Sequence, residues 1–148
     1  MVALAIFVVV STTAVSIFIT AIKNQRRQFL IQDLQDNARY VMEYVIKETR
    51  MSKINTIVDD EDLNITNQDE KNVLYKFENY QLKRKVVGVD TNYNSISSSN
   101  IKAEGAFSII NDPGNQQYRV TITMRAYPKD ASQPEIRLQN TVAPRRYE

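Results

Sequence analysis

The chain has 148 residues, which is enough for one compact domain together with one membrane span. Its 19 lysines and arginines almost balance its 17 aspartates and glutamates, so the net charge of +2 favours neither an acidic partner nor a nucleic acid. The absence of cysteine and histidine excludes disulfides, thiolate metal sites and Ser-His-Asp or Cys-His catalysis, and no glycine-rich phosphate loop is present; we therefore predict no enzyme activity and no cofactor.

The first element is an apolar segment, residues 1–22, without any charged side chain. As a helix it would rise about 33 Å, enough to cross a hydrocarbon core of about 30 Å. A cleaved signal peptide would begin with basic residues and end in small residues at a cleavage site, and this segment does neither. A buried core helix of this length would need a much larger protein around it. We therefore predict a transmembrane helix over residues 1–22.

Within this segment, Thr12, Ser16 and Thr20 recur every four residues and so share one face of the helix. Small and hydroxyl side chains often mark the face on which membrane helices pack together. The alternative is that each hydroxyl bonds to a carbonyl of its own helix. The sequence leaves both interpretations open.

Three basic residues, Lys23, Arg26 and Arg27, directly follow the span. By the positive-inside rule they favour a cytoplasmic location for this side of the membrane. A more basic stretch ahead of Met1 would reduce or reverse that preference, so the sequence leaves the orientation open.

Residues 23–57 continue with an amphipathic helical pattern. Apolar side chains recur at spacings of three and four, and opposite charges face each other in Arg39–Glu43 and Glu43–Lys47. No glycine or proline precedes Gly88, so we predict one continuous helix from about Val2 to about Ile57. The apolar stripe predicted to pack against the C-terminal part of the chain consists of Leu30, Leu34, Ala38, Val41 and Val45.

After an acidic connector predicted at residues 58–72, the period of the apolar residues changes to two, which is typical of strands. We expect an antiparallel sheet of four or five strands over residues 73–148, and hence an α+β fold with the sheet packed on the long helix. Pro113 and Gly114 predict a turn at residues 111–115. The predicted strands are 73–78, 80–86, 105–110, 118–127 and 136–142.

Basic and aromatic residues cluster on the second predicted strand. As a ligand patch, Tyr80, Lys83, Arg84 and Lys85 would contact phosphates and stack on bases. The alternative is a solvated strand edge, where lysine discourages unwanted strand pairing. We favour the edge because the net charge is close to zero, and we do not expect a nucleic acid partner.

Four stretches carry a resemblance to a known family. MVALAIF resembles the start of the membrane helix of type IV pilins and secretion pseudopilins. LQDNARYVMEYVIKETRM is similar to the helix of PilW-type minor pilins and their type II secretion counterparts, where an Asn-Ala-Arg, here Asn37-Ala38-Arg39, is followed by an apolar stripe and a further arginine, here Arg50. YKFENYQLKRK resembles the family's first hairpin, and LQNTVAPRR its last strand. The resemblance covers the helix well and the sheet loosely.

This resemblance implies a pilin-like fold and a structural role, as a minor pilin or pseudopilin in a type IV pilus-like filament, acting in filament initiation or at the tip. It implies as partners the major and minor pilin-like subunits, a prepilin peptidase, the inner-membrane assembly platform and, before assembly, membrane lipid. The implied location is the cytoplasmic membrane, single-pass with the C-terminal domain outside, and the cell surface or periplasm after assembly. The contacts between subunits would involve the assembly helix residues Val2, Ala5, Phe7, Thr12, Ser16 and Thr20.

An alternative function is a binding module, anchored in the membrane or carried by a filament, that acts in DNA uptake or adhesion.

The chain departs from the family at its N-terminus. The family's processing motif, a basic leader, a glycine, an aromatic residue and a glutamate, is not found, and the match would place the glutamate just before Met1. We therefore expect Met1 to be an internal methionine and the mature N-terminus to lie upstream of it.

Overall fold

The computed structural model describes residues 2–55, 62–112, 117–130 and 134–144, and it shows an α+β fold. One long N-terminal helix is followed by strands that pair antiparallel in two sheets. The chain divides into two compact units, Met1–Asp33 and Leu34–Glu148, which are described separately below.

Helix α1 runs from Val2 to Arg50. Its last turn tightens, because the Met51 amide donates to the Glu48 carbonyl at 3.2 Å, a contact three residues apart that replaces the four-residue spacing of the helix. The predicted end near Ile57 is wrong, because Lys53–Ile54 already pairs with another strand. Ile57 itself lies outside the described residues.

The first unit consists of the N-terminal part of α1. By length and composition, α1 can cross a membrane, and no residue of its most apolar 18-residue window is buried. The unit is therefore compatible with a single-pass membrane anchor.

In the second unit, the described residues form the end of α1 and eight strands, rather than the four or five strands predicted. The five-stranded sheet is a meander, with strand order following the chain: β1 (Lys53–Ile54), β2 (Asp62–Thr66), β3 (Asn72–Glu78), β4 (Gln81–Val86) and β5 (Asn94–Ser95). The three-stranded sheet contains β6 (Ile101–Asp112), β7 (Gln117–Pro128) and β8 (Ile136–Val142). Strand β2 lies inside the predicted acidic connector, where its apolar side chains Leu63 and Ile65 alternate with polar ones and are buried.

The later strands follow the prediction more closely. Strand β8 has the predicted bounds, and β7 extends the prediction by one residue at each end. Strand β4 begins one residue late because Asn79 and Tyr80 have positive φ angles of 54° and 60° and form the turn after β3. Of the predicted turn at 111–115, residues 113–115 lie outside the described part of the chain.

One cluster of buried side chains joins α1 to both sheets. From the predicted stripe, Leu34, Ala38, Val41 and Val45 are buried in this cluster. Leu30 is not: it is 42% exposed, because the buried face of α1 begins at Leu34. From the sheets, the largest buried side chains are Tyr75, Phe107, Leu63, Ile65, Leu82 and Ile122.

The two sheets meet where β6 contacts β3 and β4. The rings of Phe77 and Phe107 lie 5.3 Å apart between their centroids. Gly105 lies directly beside the Phe77 ring, since a Cβ atom added there would come within 2.7 Å of it and would also collide with the Thr123 carbonyl oxygen. Glycine is therefore required at position 105 by the close approach of the two sheets.

Candidate functional site

The side chains of the apolar segment in the first unit are exposed. Val2 is 74% and Phe7 is 70% exposed, and Ala5, Thr12, Ser16 and Thr20 are exposed as well. An apolar surface of this extent is far larger than a soluble monomer normally leaves open to water. The segment therefore needs lipid or other apolar helices around it.

The hydroxyl groups of this segment bond to their own helix. Thr12 Oγ1 donates to the Val8 carbonyl, Ser16 Oγ to the Thr12 carbonyl and Thr20 Oγ1 to the Ser16 carbonyl, each at 2.9 Å. These bonds satisfy the hydroxyl protons without a partner helix, which makes the residues tolerable in lipid.

The same face also carries several small side chains. Ser16, Thr20 and Ala21 are small, and with Ile17 and Asn24 they line a shallow concavity on the helix. Small side chains allow two membrane helices to approach closely, so this concavity would accept the side chains of a neighbouring helix. Packing and internal hydrogen bonding are therefore compatible on this face.

In the second unit, Glu48 at the end of α1 is the centre of a polar cluster. Arg84 on β4 donates to both oxygens of its carboxylate, from Nη2 to Oε1 at 2.7 Å and from Nε to Oε2 at 3.0 Å. The hydroxyl of Tyr75 on β3 also donates to Oε2. We call Glu48, Arg84 and Tyr75 the helix–sheet clamp.

The clamp is largely removed from water. The side chains of Glu48 and Arg84 are only 17% and 21% exposed, and Tyr75 is fully buried. Burial, followed by its bond to Glu48, raises the pKa of Tyr75, and the bond to Glu48 raises the pKa of Arg84. The tyrosine thus stays protonated and the arginine charged, so the clamp is a structural connection and not an acid–base pair.

The clamp divides the predicted ligand patch. Arg84 faces α1, whereas Lys83 and Lys85 lie on the opposite face of β4, as alternate residues of a strand must. Tyr80 lies in the preceding turn and is 52% exposed, with Lys102 Nζ 5.2 Å from the centre of its ring. The four residues do not form one surface.

Three lysines on the outer face of the five-stranded sheet, Lys76, Lys83 and Lys85, already have partners. Lys76 Nζ and Lys83 Nζ donate to the two oxygens of Glu78 at 2.7 and 2.8 Å. These bonds, first from Lys76 and then from Lys83, lower the pKa of Glu78 to about 2. Lys85 donates to the Thr91 carbonyl at 3.2 Å, and it lies 5.7 Å from the centre of the Tyr93 ring.

The outer face of the three-stranded sheet carries a second charged cluster. Glu104 accepts bonds from Tyr127 Oη at 2.7 Å and from Arg125 Nη2 at 2.5 Å, and these bonds lower its pKa. Burial and the bond to Glu104 raise the pKa of Tyr127 to about 12. Glu104 therefore neutralises Arg125, its partner on the neighbouring strand.

Among the described residues, no group of three or more acidic side chains is close enough to hold a metal ion.

The functional residue that sequence reasoning missed is Glu48. It follows Val41 and Val45 along the buried face of α1, so a charged residue at that position indicates a partner on the sheet.

No family model, no curated protein and no solved structure matches this chain.

Proposed function

We propose that the protein is a structural subunit of a type IV pilus-like filament, of the minor pilin or pseudopilin kind. In this role the apolar part of α1 holds the chain in the cytoplasmic membrane before assembly. In the filament, the same segment packs against the equivalent helices of pilin-like subunits, and the sheets lie on the outside. Contacts that repeat without closing produce a helical polymer of this kind.

The observation that carries the proposal is that none of the residues in the most apolar window of α1 is buried. Val2, Phe7 and their neighbours are exposed around the whole helix, so the segment has apolar contacts to offer in every direction. A lipid anchor alone needs only length and hydrophobicity. The concavity at Ser16, Thr20 and Ala21 adds a place for close helix packing, which an anchor does not need.

The second support is the attachment of the sheets to the end of α1. The helix–sheet clamp and the buried residues Leu34, Ala38, Val41 and Val45 hold α1 against the strands from Leu34 onward. A subunit that is pulled from the membrane by its assembly machinery needs such a firm connection between helix and domain.

The competing binding-module function has less support. Its candidate residues Lys83 and Arg84 lie on opposite faces of β4, and both are paired with glutamates. A polyanion would therefore meet separate, partly neutralised charges in place of a continuous basic surface.

The test is to shear surface filaments from cells that naturally make the protein and to compare them with the membrane fraction. We expect the protein in both fractions. Ser16→Leu fills the concavity but keeps the segment apolar, so it should leave the membrane amount unchanged and reduce incorporation into filaments. Ile17→Leu on the same turn is the matched control and should be incorporated normally.

Recovery of the unmodified protein from the membrane fraction alone, while the other filament subunits are sheared off, would show that it is a single-pass anchored domain. Equal incorporation of the Ser16→Leu and Ile17→Leu variants would show that the concavity is not needed for helix packing in the filament.

A further inference from the structure

A group of basic side chains directly follows the apolar segment of α1. Lys23, Arg26 and Arg27 are all helical and all exposed. Because successive residues of a helix are rotated by about 100°, these three lie within an arc of about 100° around the helix axis. They therefore share one side of the helix, and we call them the basic face.

The charges of the basic face are not compensated within the first unit. Partners on the same helix would lie three or four residues away, and no aspartate or glutamate occupies any of these positions. Among the ion pairs of the described residues, none includes Lys23, Arg26 or Arg27. Lys23 and Arg27 are themselves four residues apart, a spacing at which like charges repel. An anion from outside the chain would therefore stabilise this part of the helix.

The position of the basic face along α1 matches the level of lipid headgroups. The helix carries no charged side chain from Val2 to Ile22, a length of about 32 Å, which is close to the thickness of a hydrocarbon core of about 30 Å. The headgroups add about 5–7 Å on each side of that core. Lys23 lies about 1.5 Å and Arg27 about 7.5 Å beyond Ile22 along the helix axis, so their long side chains reach this layer.

We propose that the basic face binds the headgroups of anionic phospholipids, such as phosphatidylglycerol. A phosphate with a net negative charge compensates the lysine and arginine charges, whereas the choline group of phosphatidylcholine cancels the charge of its own phosphate. The guanidinium groups of Arg26 and Arg27 can each donate two bonds to one phosphate, and Lys23 adds a point charge.

The location favours a lipid over a soluble anion. The apolar segment holds the basic face at the membrane surface, where headgroups are present at a high effective concentration. A free phosphate ion or a soluble polyanion would have to compete with them there. This inference rests on the membrane-anchor part of the proposed function and not on the filament, and it adds which lipids surround the anchor.

The test uses the whole chain in lipid nanodiscs that contain equal amounts of phosphatidylglycerol and phosphatidylcholine. Native mass spectrometry counts the lipids of each kind that stay bound to the protein when the disc is removed. From about 0.01 M ammonium acetate we expect at least about fivefold preferential retention of phosphatidylglycerol. From about 1 M ammonium acetate the preference should largely disappear, because salt screens charges at the membrane surface.

The triple variant Lys23→Gln/Arg26→Gln/Arg27→Gln removes the charges of the basic face and keeps polar side chains at its positions. It should retain the two lipids in a ratio of about one at low salt. Vesicle flotation should show that this variant stays in the membrane, because its apolar segment is unchanged. The salt dependence of the unmodified chain is a second measurement that needs no substitution.

The matched control is Arg39→Gln/Lys47→Gln/Arg50→Gln. It removes the same number of positive charges from exposed positions of the same helix, but in the second unit. We expect it to retain phosphatidylglycerol as strongly as the unmodified chain does.

Equal retention of the two lipids by the unmodified chain at low salt would overturn this inference and leave the membrane anchor in place. A preference that survives high salt or the loss of the basic face would overturn it as well, and so would a preference that the control variant loses. If the unmodified chain does not float with vesicles, the anchor and this inference both fail. The filament is tested separately, by the sheared fractions described above.

Discussion

Glu48 and Arg84 form a two-point ion pair that joins the last turn of α1 to strand β4. The pair is mostly shielded from water, and Tyr75 supplies a third bond to the same carboxylate. The helix end and the hairpin β3–β4 therefore share one partly buried charge pair, in which each charge compensates the other for part of its lost hydration.

The first prediction concerns this clamp. Arg84→Met should lower the free energy of unfolding by about 2–3 kcal/mol, because it leaves the Glu48 carboxylate buried without a cation; this is below the value for a fully buried pair since both groups keep some contact with water. Chemical denaturation of the detergent-solubilised chain, followed by circular dichroism, measures the change. The double variant Glu48→Met/Arg84→Met should lose less than the sum of the single variants.

Lys83→Met is the matched control for the clamp, since Lys83 lies on the same strand but on its outer face, paired with an exposed glutamate. It should cost less than about 1 kcal/mol. A loss as large as that of Arg84→Met would show that the clamp has no special role.

The second prediction concerns pH. Bonds from Lys76 and Lys83 lower the pKa of Glu78 from 4.5 to about 2, so the ionised carboxylate is favoured in the folded protein. The contribution of Glu78 to stability is complete above pH 4.5 and is lost as the pH falls toward 2. An NMR titration of the Glu78 carboxyl should give a midpoint near 2 in the native protein. The midpoint should rise in Lys83→Met, and an ordinary midpoint in the native protein would contradict the two lysine contacts.

The third prediction concerns the contact between the sheets. Gly105→Ala should lower the free energy of unfolding by about 2 kcal/mol or more, because the new methyl group meets the Phe77 ring and the Thr123 carbonyl. Ser108→Ala, an exposed change on the same strand, should be nearly neutral. Thermal unfolding of both variants measures the difference, and a stable Gly105→Ala variant would mean that the sheets are not this close.

The fourth prediction concerns the turn between β3 and β4. Tyr80 has a φ of 60°, a conformation that costs a residue with a side chain about 1 kcal/mol relative to glycine. Tyr80→Gly should therefore stabilise the protein by up to about 1 kcal/mol, less the loss of the contact with Lys102. Tyr118→Gly, at an ordinary strand position, should destabilise it. A lower melting temperature for the Tyr80→Gly variant would show that the ring contact outweighs the backbone strain.

Sequence reasoning predicted an element correctly where the spacing of apolar residues within that element is regular. The alternation of Val120, Ile122 and Met124 predicted β7, and the bounds of β8 were predicted correctly. It failed at β2, where Leu63 and Ile65 are the only two apolar residues of a five-residue strand, and at Leu30, which continues the helical stripe but lies beyond the buried part of the helix.

In the candidate site, too, one feature could be predicted from the sequence and another could not. The period of two in β4 places Arg84 with Leu82 and Val86, on the face opposite to Lys83 and Lys85, so the sequence contained the signal that the ligand patch is divided. The partner of Arg84 could not be found in this way. Glu48 lies 36 residues earlier, and no local pattern links the two positions.

By itself, the sequence determined the long helix, its apolar first half, the amphipathic stripe and the strongest strands, because each follows from the spacing of side chains within one element. The tertiary structure alone decided the division of the strands into two sheets, the pairing of Glu48 with Arg84 and Tyr75, and the need for glycine beside Phe77. These features depend on contacts between residues far apart in the chain, whose distances are set only when the elements pack together.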